Sequence, residues 1–530
     1  MRFPFHAAIL VSLAPAAHSI GNFPHQCEKL ASKLKIDNAN VWFSDYVPAG
    51  TNVTFPDLDP TCAHAPMALS VDFCRVALSV ATSKRSGISM EAWLPSNWSG
   101  RFLSTGNGGL NGCLSYDDMA YAVELGFSTV GANNGHNGTS GKPFLNNPDV
   151  VEDFSWRSVH TNTVVGKQIT NDFYHKKHTK SYYLGCSTGG RQGFKQAQSF
   201  PTNFDGLVVG APAIDFNGLT SWSGHFYLLT GKPGSPTFVT AEQWIAVHKD
   251  IMAQCDGLDG YVDGILEDPS LCQYRPEALI CPPGTPAGTN TCLTGTQAAT
   301  VRAIFSDLHG INGTLVYPRM QPGSELLGAP QIYYGGRPFQ YTNDWFQYAV
   351  YNDPSWDPAS LNPTDYANAE ALDLFGISTW SGDLSAAKNR GAKILHYHGL
   401  ADMIISSDNS PRYYDHVAQT MSLPSAALDE FYRFFRISGM GHCAGGPGAS
   451  FIGQRREAVA SLDPEQNVLM AMVQWVEQGK APEAILGTAF EGGSAKGKVA
   501  FRRRHCKYPA RNVYTGKGDP KEADSWKCVV

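Results

Sequence analysis

Short apolar runs alternate with amphipathic stretches in two separate parts of the chain. In the first part they predict strands at 88–94, 101–104, 127–130, 182–184 and 207–209, and helices at 116–125 and 158–176. The pattern returns after residue 390, with strands at 393–398 and 431–437 and a helix at 465–478. Strands that alternate with helices predict a parallel sheet that is covered on both faces, in an α/β fold.

The stretch at 214–390 interrupts this pattern, because it is rich in Gly, Pro, Cys and aromatic residues and its alternation fades. We therefore predict a first part of the α/β domain at 20–213, an inserted domain at 214–390 and a second part of the α/β domain at 391–530. A chain of 530 residues is long enough for such an insertion.

The first nineteen residues predict a secretory signal peptide at 1–19. Arg2 supplies the positive start, Phe3 to Leu13 is mostly apolar, and Ala17-His18-Ser19 resembles a small-x-small cleavage site. The alternative is a buried N-terminal strand. No later apolar run reaches the roughly 20 residues that a membrane helix needs. We expect a mature protein that is secreted and has no membrane partner.

Composition narrows the classes of partner. The net charge of −6, from 41 basic and 47 acidic residues, is mild for this length and gives no reason to expect a nucleic-acid partner. Four Asn-x-Ser/Thr sequences, which are potential glycosylation sites, agree with export from the cell. They lie at Asn52, Asn97, Asn137 and Asn312.

The twelve cysteines are an even number, which is typical of an oxidising compartment. Local spacing suggests the pairs Cys255–Cys272, Cys281–Cys292 and Cys506–Cys528, although sequence alone leaves the connectivity open. Zinc binding is the alternative, but the chain contains no Cys-x-x-Cys pair.

A nucleophile motif lies at 185–190, where the sequence Gly-Cys-Ser-Thr-Gly-Gly follows a predicted strand and precedes a helix. The glycines allow a sharp turn that exposes the Ser187 hydroxyl, as in Gly-x-Ser-x-Gly hydrolases. The alternative is an ordinary Gly/Ser loop, which the strand–turn–helix context disfavours. We therefore predict an α/β-hydrolase fold with a large insertion.

A serine nucleophile needs a base and a group that orients the base, and in this fold they follow the serine in the order acid, then histidine. Asp402 comes just after the strand at 393–398, and His442 lies in a loop after the next strand. Each alone could be a helix cap or a structural histidine, but their order predicts the triad Ser187, Asp402 and His442.

Two further features support this site. Cys186 precedes the predicted nucleophile and Cys443 follows the predicted base, so a disulfide between them would hold the two loops together. An oxyanion needs backbone donors. We predict the amide of Thr188 and one from the Gly-rich loop at 106–109, where we favour Gly109 over Gly108. That loop could also be a plain turn.

An acidic loop at 256–265 carries three carboxylates, Asp256, Asp259 and Asp263. Close carboxylates repel each other unless a cation joins them, and hard oxygen ligands suit calcium. The spacing is not that of an EF-hand, and Asp-Gly pairs also form plain turns.

Taken together, the motifs at 185–190, 398–402 and 439–443 resemble the tannase/feruloyl esterase family, and its fungal type-B feruloyl esterases most closely. The resemblance covers nearly the whole mature chain. It implies a disulfide between Cys186 and Cys443 and a lid domain at 214–390. For the remaining four cysteines we predict Cys27–Cys74 and Cys62–Cys113.

The same resemblance implies a structural calcium in the lid, held by the side chains of Asp256, Asp259 and Asp263 and the backbone carbonyls of Tyr261 and Ile265. It implies a serine esterase that releases ferulic, p-coumaric or caffeic acid from plant cell-wall esters such as feruloylated arabinoxylan or pectin. The alternatives are a tannase that releases gallic acid and a catalytically inactive binding protein on the same fold.

Aromatic residues of the insertion could line a pocket for the substrate's ring, or they could simply form the core of the lid. They are Trp222, Phe226, Tyr227, Tyr333, Tyr334, Phe339, Tyr341 and Trp345.

Overall fold

A nine-stranded sheet organises the computed structural model, which describes residues 22–286 and 288–530. The predicted signal peptide at 1–19 lies outside the described residues. The strands of this sheet are β1 (Ala39–Val47), β2 (Phe73–Ala81), β3 (Gly87–Pro95), β4 (Arg101–Thr105), β5 (Phe127–Ala132), β6 (Lys180–Cys186), β7 (Gly206–Gly210), β8 (Lys393–Gly399) and β9 (Tyr432–Ile437).

The strand order is β1-β2-β3-β5-β4-β6-β7-β8-β9. The strands from β5 to β9 along this order run parallel, whereas β1, β2 and β3 add an antiparallel edge. The α/β-hydrolase fold is confirmed, but the expectation of a parallel sheet holds for six strands only. The antiparallel strands β1 and β2 lie at 39–47 and 73–81, where the sequence pattern predicted no strand. Strand β2 is buried along most of its length, so a clear alternation of polar and apolar residues is missing.

Every predicted strand of the sheet is present, and its observed ends lie within two residues of the predicted ends. The longer helices are α1 (Tyr116–Glu124), α2 (Ser158–Tyr174), α3 (Thr188–Ser199), α4 (Phe216–Thr230), α5 (Ala241–Cys255), α6 (Gly295–Ile304), α7 (Pro363–Leu372), α8 (Asn409–Met421) and α9 (Val468–Gln478). Short helices span Phe23–Glu28, Leu30–Lys33, Pro148–Glu152, Ala329–Ile332, Gln340–Asp344, Ser385–Arg390 and Ser425–Leu428.

Hydrophobic clusters cover both faces of the sheet. Tyr182 and Leu184 of β6 face the cluster that includes Met472 of α9, whereas Tyr183 between them faces the cluster of Ile169 from α2 and Phe194 from α3. This alternation follows from the two-residue period of a strand. The sheet is therefore sandwiched between helices, and its functional positions must lie at its ends.

The segment at 214–390 contributes no strand to the nine-stranded sheet among its described residues. It contains helices α4 to α7 and a small hairpin, Leu308–His309 with Leu315–Tyr317. Helices α5 and α6 each begin with a capping box, in which Thr240 or Thr294 is paired with a glutamine three residues later. A separate hydrophobic cluster, which includes Trp222, Trp244 and Trp345, fills this segment.

After β9 the chain adds a hairpin of Ala484–Phe490 with Val499–Cys506 and a second one of Arg511–Tyr514 with Trp526–Val529. A last short pair joins Asn52–Val53 to Met67–Ala68. The sequence pattern did not indicate these hairpins.

Six disulfides join the twelve cysteines, and all six are the pairs predicted above. They are Cys27–Cys74, Cys62–Cys113, Cys186–Cys443, Cys255–Cys272, Cys281–Cys292 and Cys506–Cys528. The side chains of Asn52, Asn97, Asn137 and Asn312 are all exposed, as glycosylation would require. Within 22–286 and 288–530, none of the helices combines the length and the apolar character of a membrane span.

Candidate active site

Ser187 stands on a strained turn between β6 and α3. Its backbone has φ 65° and ψ −125°, a conformation that L-residues rarely adopt and that costs about 1–3 kcal/mol. The turn is held because Ser187 N–H donates to the carbonyl of Gly210 (3.0 Å) and Ala213 N–H donates to the carbonyl of Ser187 (3.0 Å). A Cβ atom on Gly190 would lie 2.3 Å from the Gly210 oxygen, so this position needs glycine.

Asp402 lies in the turn after β8, and its carboxylate is fully buried. Its Oδ1 accepts hydrogen bonds from the amides of Ile404 (2.8 Å) and Ile405 (3.0 Å). Its Oδ2 contacts His442 Nδ1 (2.7 Å) and His398 Nε2 (3.1 Å). Burial acts to raise the pKa of Asp402, but the charge of His442 and the hydrogen bonds from both histidines hold it well below its ordinary value.

His442 follows β9 and is partly exposed, with 12% of its side-chain surface accessible. Because Asp402 is an acceptor, His442 Nδ1 carries the hydrogen and Nε2 is left free to accept a proton. Ser187 and His442 line the same cavity. No hydrogen bond joins their side chains in the described structure, and such contacts often tighten only when a substrate is bound.

The disulfide Cys186–Cys443 links the residue before Ser187 to the residue after His442, with 6.0 Å between the two Cα atoms. It spans 257 residues of sequence. The nucleophile loop and the histidine loop are therefore joined covalently across the end of the sheet.

The predicted oxyanion donors also come together here. Thr188 and Gly109 line a small cavity beside Ser187, and the Thr188 hydroxyl donates to the Gly109 carbonyl (2.7 Å). Thr188 is the first residue of α3, so its amide has no acceptor within the helix. Gly109 has φ 51°, and a Cβ there would lie 2.3 Å from the Tyr341 hydroxyl oxygen.

Two cavities share Ser187 in their walls. The larger one, of about 460 Å³, has a polar wall that includes Asn111, Asp117, Asp118, Gln454 and Arg455. The smaller one is mainly apolar and reaches into the insertion. Its walls include Leu110, Ala213, Phe216, Leu219, Thr220, Ser223, Tyr333, Phe339, Tyr341, Ile404 and Ile405.

Of the aromatic residues considered for a ring pocket, Tyr333, Phe339 and Tyr341 line the small cavity. The others do not line it: Trp222, Phe226, Tyr334 and Trp345 belong to the core of the insertion, and Tyr227 is only half-buried.

The acidic loop lies far along the chain from the triad, at the end of α5. Asp256 and Asp259 are buried, and burial together with the neighbouring carboxylate charges raises both pKa values, that of Asp259 to about 6. Oδ1 of Asp256 is buried without a hydrogen-bond partner. Asp263 instead pairs with Arg503 (2.9 Å).

Among the described residues, no three acidic, histidine or cysteine side chains gather closely enough to hold a metal ion by themselves. The orphaned Asp256 oxygen and the excess of carboxylates still suit a hard cation, provided that backbone carbonyls complete its coordination. The donor set is therefore compatible with calcium.

Comparison with known proteins adds independent findings. Residues 74–529 match the sequence profile of the family described as tannase and feruloyl esterase. A probable feruloyl esterase B-2 of Aspergillus oryzae is 54% identical over 526 residues, which cover 99% of this chain and 98% of that protein. A probable feruloyl esterase B of Aspergillus clavatus is 55% identical over 507 residues, 96% of each chain.

The chain belongs to the tannase and feruloyl esterase family. Among solved structures, feruloyl esterase B from Aspergillus oryzae superposes with a TM-score of 0.94 at 54% identity, over 96% of this chain and 100% of that one. The tannin acyl hydrolase from Aspergillus niger superposes with a TM-score of 0.75 at 20% identity, over 96% of each chain. The similarity to the tannin acyl hydrolase shows only that the two proteins share a fold.

For this family member, sequence reasoning missed several residues around the triad. His398 was noted only as the start of a motif, although its spacing of four from Asp402 was a usable signal. Ser410 and Tyr432 lie behind His398, and Ser223 lies in the small cavity. No sequence motif marks those three residues. They come from a helix, a strand and the insertion, which are brought together only in the folded protein.

Removal of the Cys186–Cys443 disulfide should weaken both stability and catalysis. In the chain-entropy model a loop of this length contributes up to about 5 kcal/mol, against about 3 kcal/mol for the short Cys281–Cys292 loop. We expect Cys186→Ala/Cys443→Ala to lower the melting temperature and the kcat on p-nitrophenyl acetate. The matched Cys281→Ala/Cys292→Ala variant should lower stability only. Equal kcat in the two double variants would contradict a clamping role at the active site.

Proposed function

We propose that this protein is a secreted feruloyl esterase, a serine-type carboxylic ester hydrolase. One observation carries the proposal: Ser187 shares a cavity with a histidine that a buried, ionised Asp402 holds in place. The names of the similar proteins support the choice of ester. Six disulfides and the predicted signal peptide support secretion.

In the proposed mechanism His442 Nε2 removes the Ser187 proton, and Asp402 stabilises the imidazolium that forms. The serine oxygen attacks the ester carbonyl, and the amides of Thr188 and Gly109 receive the oxyanion. His442 then returns the proton to the departing alcohol. Water, activated by the same base, releases the carboxylic acid from the acyl-enzyme.

The small apolar cavity suits the aromatic acid half of the substrate. Ser223 donates its hydroxyl hydrogen to the Leu219 carbonyl (2.7 Å), and Tyr333 donates its own to the Ile404 carbonyl (2.7 Å). The two hydroxyl oxygens lie 3.3 Å apart, and both still have lone pairs. A phenolic O–H is the kind of donor that would complete this pair.

The larger cavity suits the alcohol half. Its wall carries carboxylates, amides and a guanidinium group, which are the side chains that bind hydroxyl-rich ligands such as sugars. We propose feruloylated plant cell-wall polysaccharide, arabinoxylan or pectin, as the natural source of such esters. The segment at 214–390 would act as the lid that supplies the acid pocket.

The deciding experiment compares initial rates on methyl ferulate, methyl p-coumarate, methyl caffeate and methyl gallate. We expect the three hydroxycinnamates to react faster than the gallate, and Ser187→Ala to lower kcat by about 10³-fold or more. Preference for gallate would indicate a tannase. An inactive parent protein would revive the idea of a binding protein on this fold.

The acid pocket has its own test. Ser223→Ala removes one of the two acceptors, so we expect KM for methyl p-coumarate to rise about 10-fold, the effect of one hydrogen bond. Methyl cinnamate lacks the phenolic hydroxyl and serves as the control substrate, on which Ser223→Ala should behave like the parent. An equal rise of KM on both esters would exclude a specific contact with the hydroxyl.

We further propose that the acidic loop holds a structural calcium. Asp256, Asp259 and Asp263 would supply carboxylate ligands, and the carbonyls of Tyr261 and Ile265 would complete the site. Bound there, the ion would neutralise the crowded carboxylates and fix the end of α5. It would take no part in the ester chemistry.

Chelation with EDTA should lower the melting temperature by several degrees, and added calcium should restore it. Because burial raises the pKa of Asp259 to about 6, protons should compete with the metal and the calcium-dependent gain should shrink below about pH 6. The variant Asp256→Asn is the control, since it should no longer respond to EDTA. A melting temperature that EDTA leaves unchanged in the parent would rule out the site.

A further inference from the structure

A buried chain of hydrogen bonds runs from Asp402 into the core. His398 Nε2 contacts Asp402 Oδ2, and His398 Nδ1 contacts the Ser410 hydroxyl (2.6 Å). Ser410 Oγ contacts His396 Nε2 (2.9 Å), and His396 Nδ1 contacts the Tyr432 hydroxyl (2.9 Å). All five side chains are at most 1% exposed.

The topology explains why these groups meet. His396 and His398 are two residues apart on β8, so both point to the same face of the sheet. Tyr432 comes from the neighbouring parallel strand β9, and Ser410 is the second residue of α8, which covers that face. His396 also stacks on Phe434, with ring centroids 4.3 Å apart. The rings are therefore held by packing as well as by hydrogen bonds.

The direction of each hydrogen bond follows from the carboxylate end. Asp402 accepts, so His398 Nε2 carries a hydrogen and, with a neutral ring, Nδ1 accepts from Ser410. Ser410 oxygen then accepts from His396 Nε2–H, and His396 Nδ1 accepts from Tyr432. Burial, with a contribution from His398, lowers the pKa of His396 well below its ordinary value, which favours the neutral ring. Each hydrogen atom in this series of hydrogen bonds therefore has one acceptor.

We infer that His398 is a positioning residue of the active site, which fixes the Asp402 carboxylate toward His442 and moderates its charge. It does so as the fourth donor on a carboxylate that has no solvent-accessible surface. Ser410, His396 and Tyr432 lock the tautomer that His398 needs for this role. The inference rests on the proposed hydrolase function, because it assigns a role within the same triad.

Two expected effects of losing His398 distinguish a positioning residue from a side chain that only fills the core. If His398 is lost, the Asp402 carboxylate is held by three donors and can rotate, so kcat falls. Its charge also acts more fully on His442 and stabilises the imidazolium, so the pH dependence of activity should move to higher pH. The Asp402 charge also acts on two tyrosine hydroxyls, those of Tyr317 and Tyr333. Burial raises the pKa of both, so they stay neutral.

The experiment compares His398→Leu, which removes the donor, with His398→Gln, which keeps an amide N–H of similar reach. We expect His398→Leu to lower kcat on methyl ferulate by about 10- to 100-fold, the range for one hydrogen bond to a charged group, with KM little changed. His398→Gln should recover most of this loss. The acidic side of the pH profile of kcat/KM should move to higher pH in His398→Leu but not in His398→Gln.

A second readout does not depend on the choice of ester. The rate at which a fluorophosphonate labels Ser187 depends on unprotonated His442, so its pH midpoint should rise by roughly half a unit in His398→Leu. Ser410→Ala should shift the midpoint in the same direction by less. If no phenolic ester is hydrolysed but labelling proceeds, the proposed substrate is wrong and this test still decides the role of His398.

His505 provides the matched control, since it is a buried histidine whose ring contacts the carbonyl of Ala449 (2.9 Å) and none of the triad. His505→Leu should lower the melting temperature without moving the labelling midpoint. Unchanged midpoints in both His398→Leu and Ser410→Ala would overturn the inference. Should His398→Leu fail to fold, an unchanged midpoint in Ser410→Ala would overturn it as well.

Discussion

The charge of Asp402 lies in the interior of the protein, where none of its side-chain surface is accessible to solvent. A buried carboxylate that lacks partners would take up a proton or destabilise the fold. Here four donors surround it: two backbone amides of its own turn, His442 and His398. Because the charge is satisfied in this way, it can orient the catalytic histidine, and the loops around it are constrained to supply the donors.

The parallel part of the sheet makes this arrangement possible. The carboxyl ends of strands β4, β6, β8 and β9 all lie at the same end of the sheet. The glycine-rich loop, Ser187, Asp402 and His442 therefore meet there, although they are far apart in sequence. The strained backbone at Ser187 is a local cost that the surrounding hydrogen bonds offset. The Cys186–Cys443 disulfide then limits how far the two loops that carry the nucleophile and the base can separate.

The insertion and the α/β domain contribute different surfaces to the cavities at Ser187. Residues of the insertion form half of the lining of the small apolar cavity, whereas the polar wall of the larger cavity comes from the α/β domain. In the proposed reaction, the two halves of an ester would therefore meet different surfaces at Ser187.

The sequence by itself determined the fold class and the candidate triad, because both depend on local motifs. The parallel strands were predictable from their apolar runs for the same reason. Local spacing suggested three disulfides and the motifs suggested Cys186–Cys443, but the sequence left the full connectivity open. Only the tertiary structure decided that β1 and β2 form an antiparallel edge, which aromatic residues of the insertion reach the cavity, and that His398 lies behind Asp402. Those facts depend on contacts between residues distant in the chain, such as Ser410 and Tyr432, and a local pattern of residues does not record such contacts.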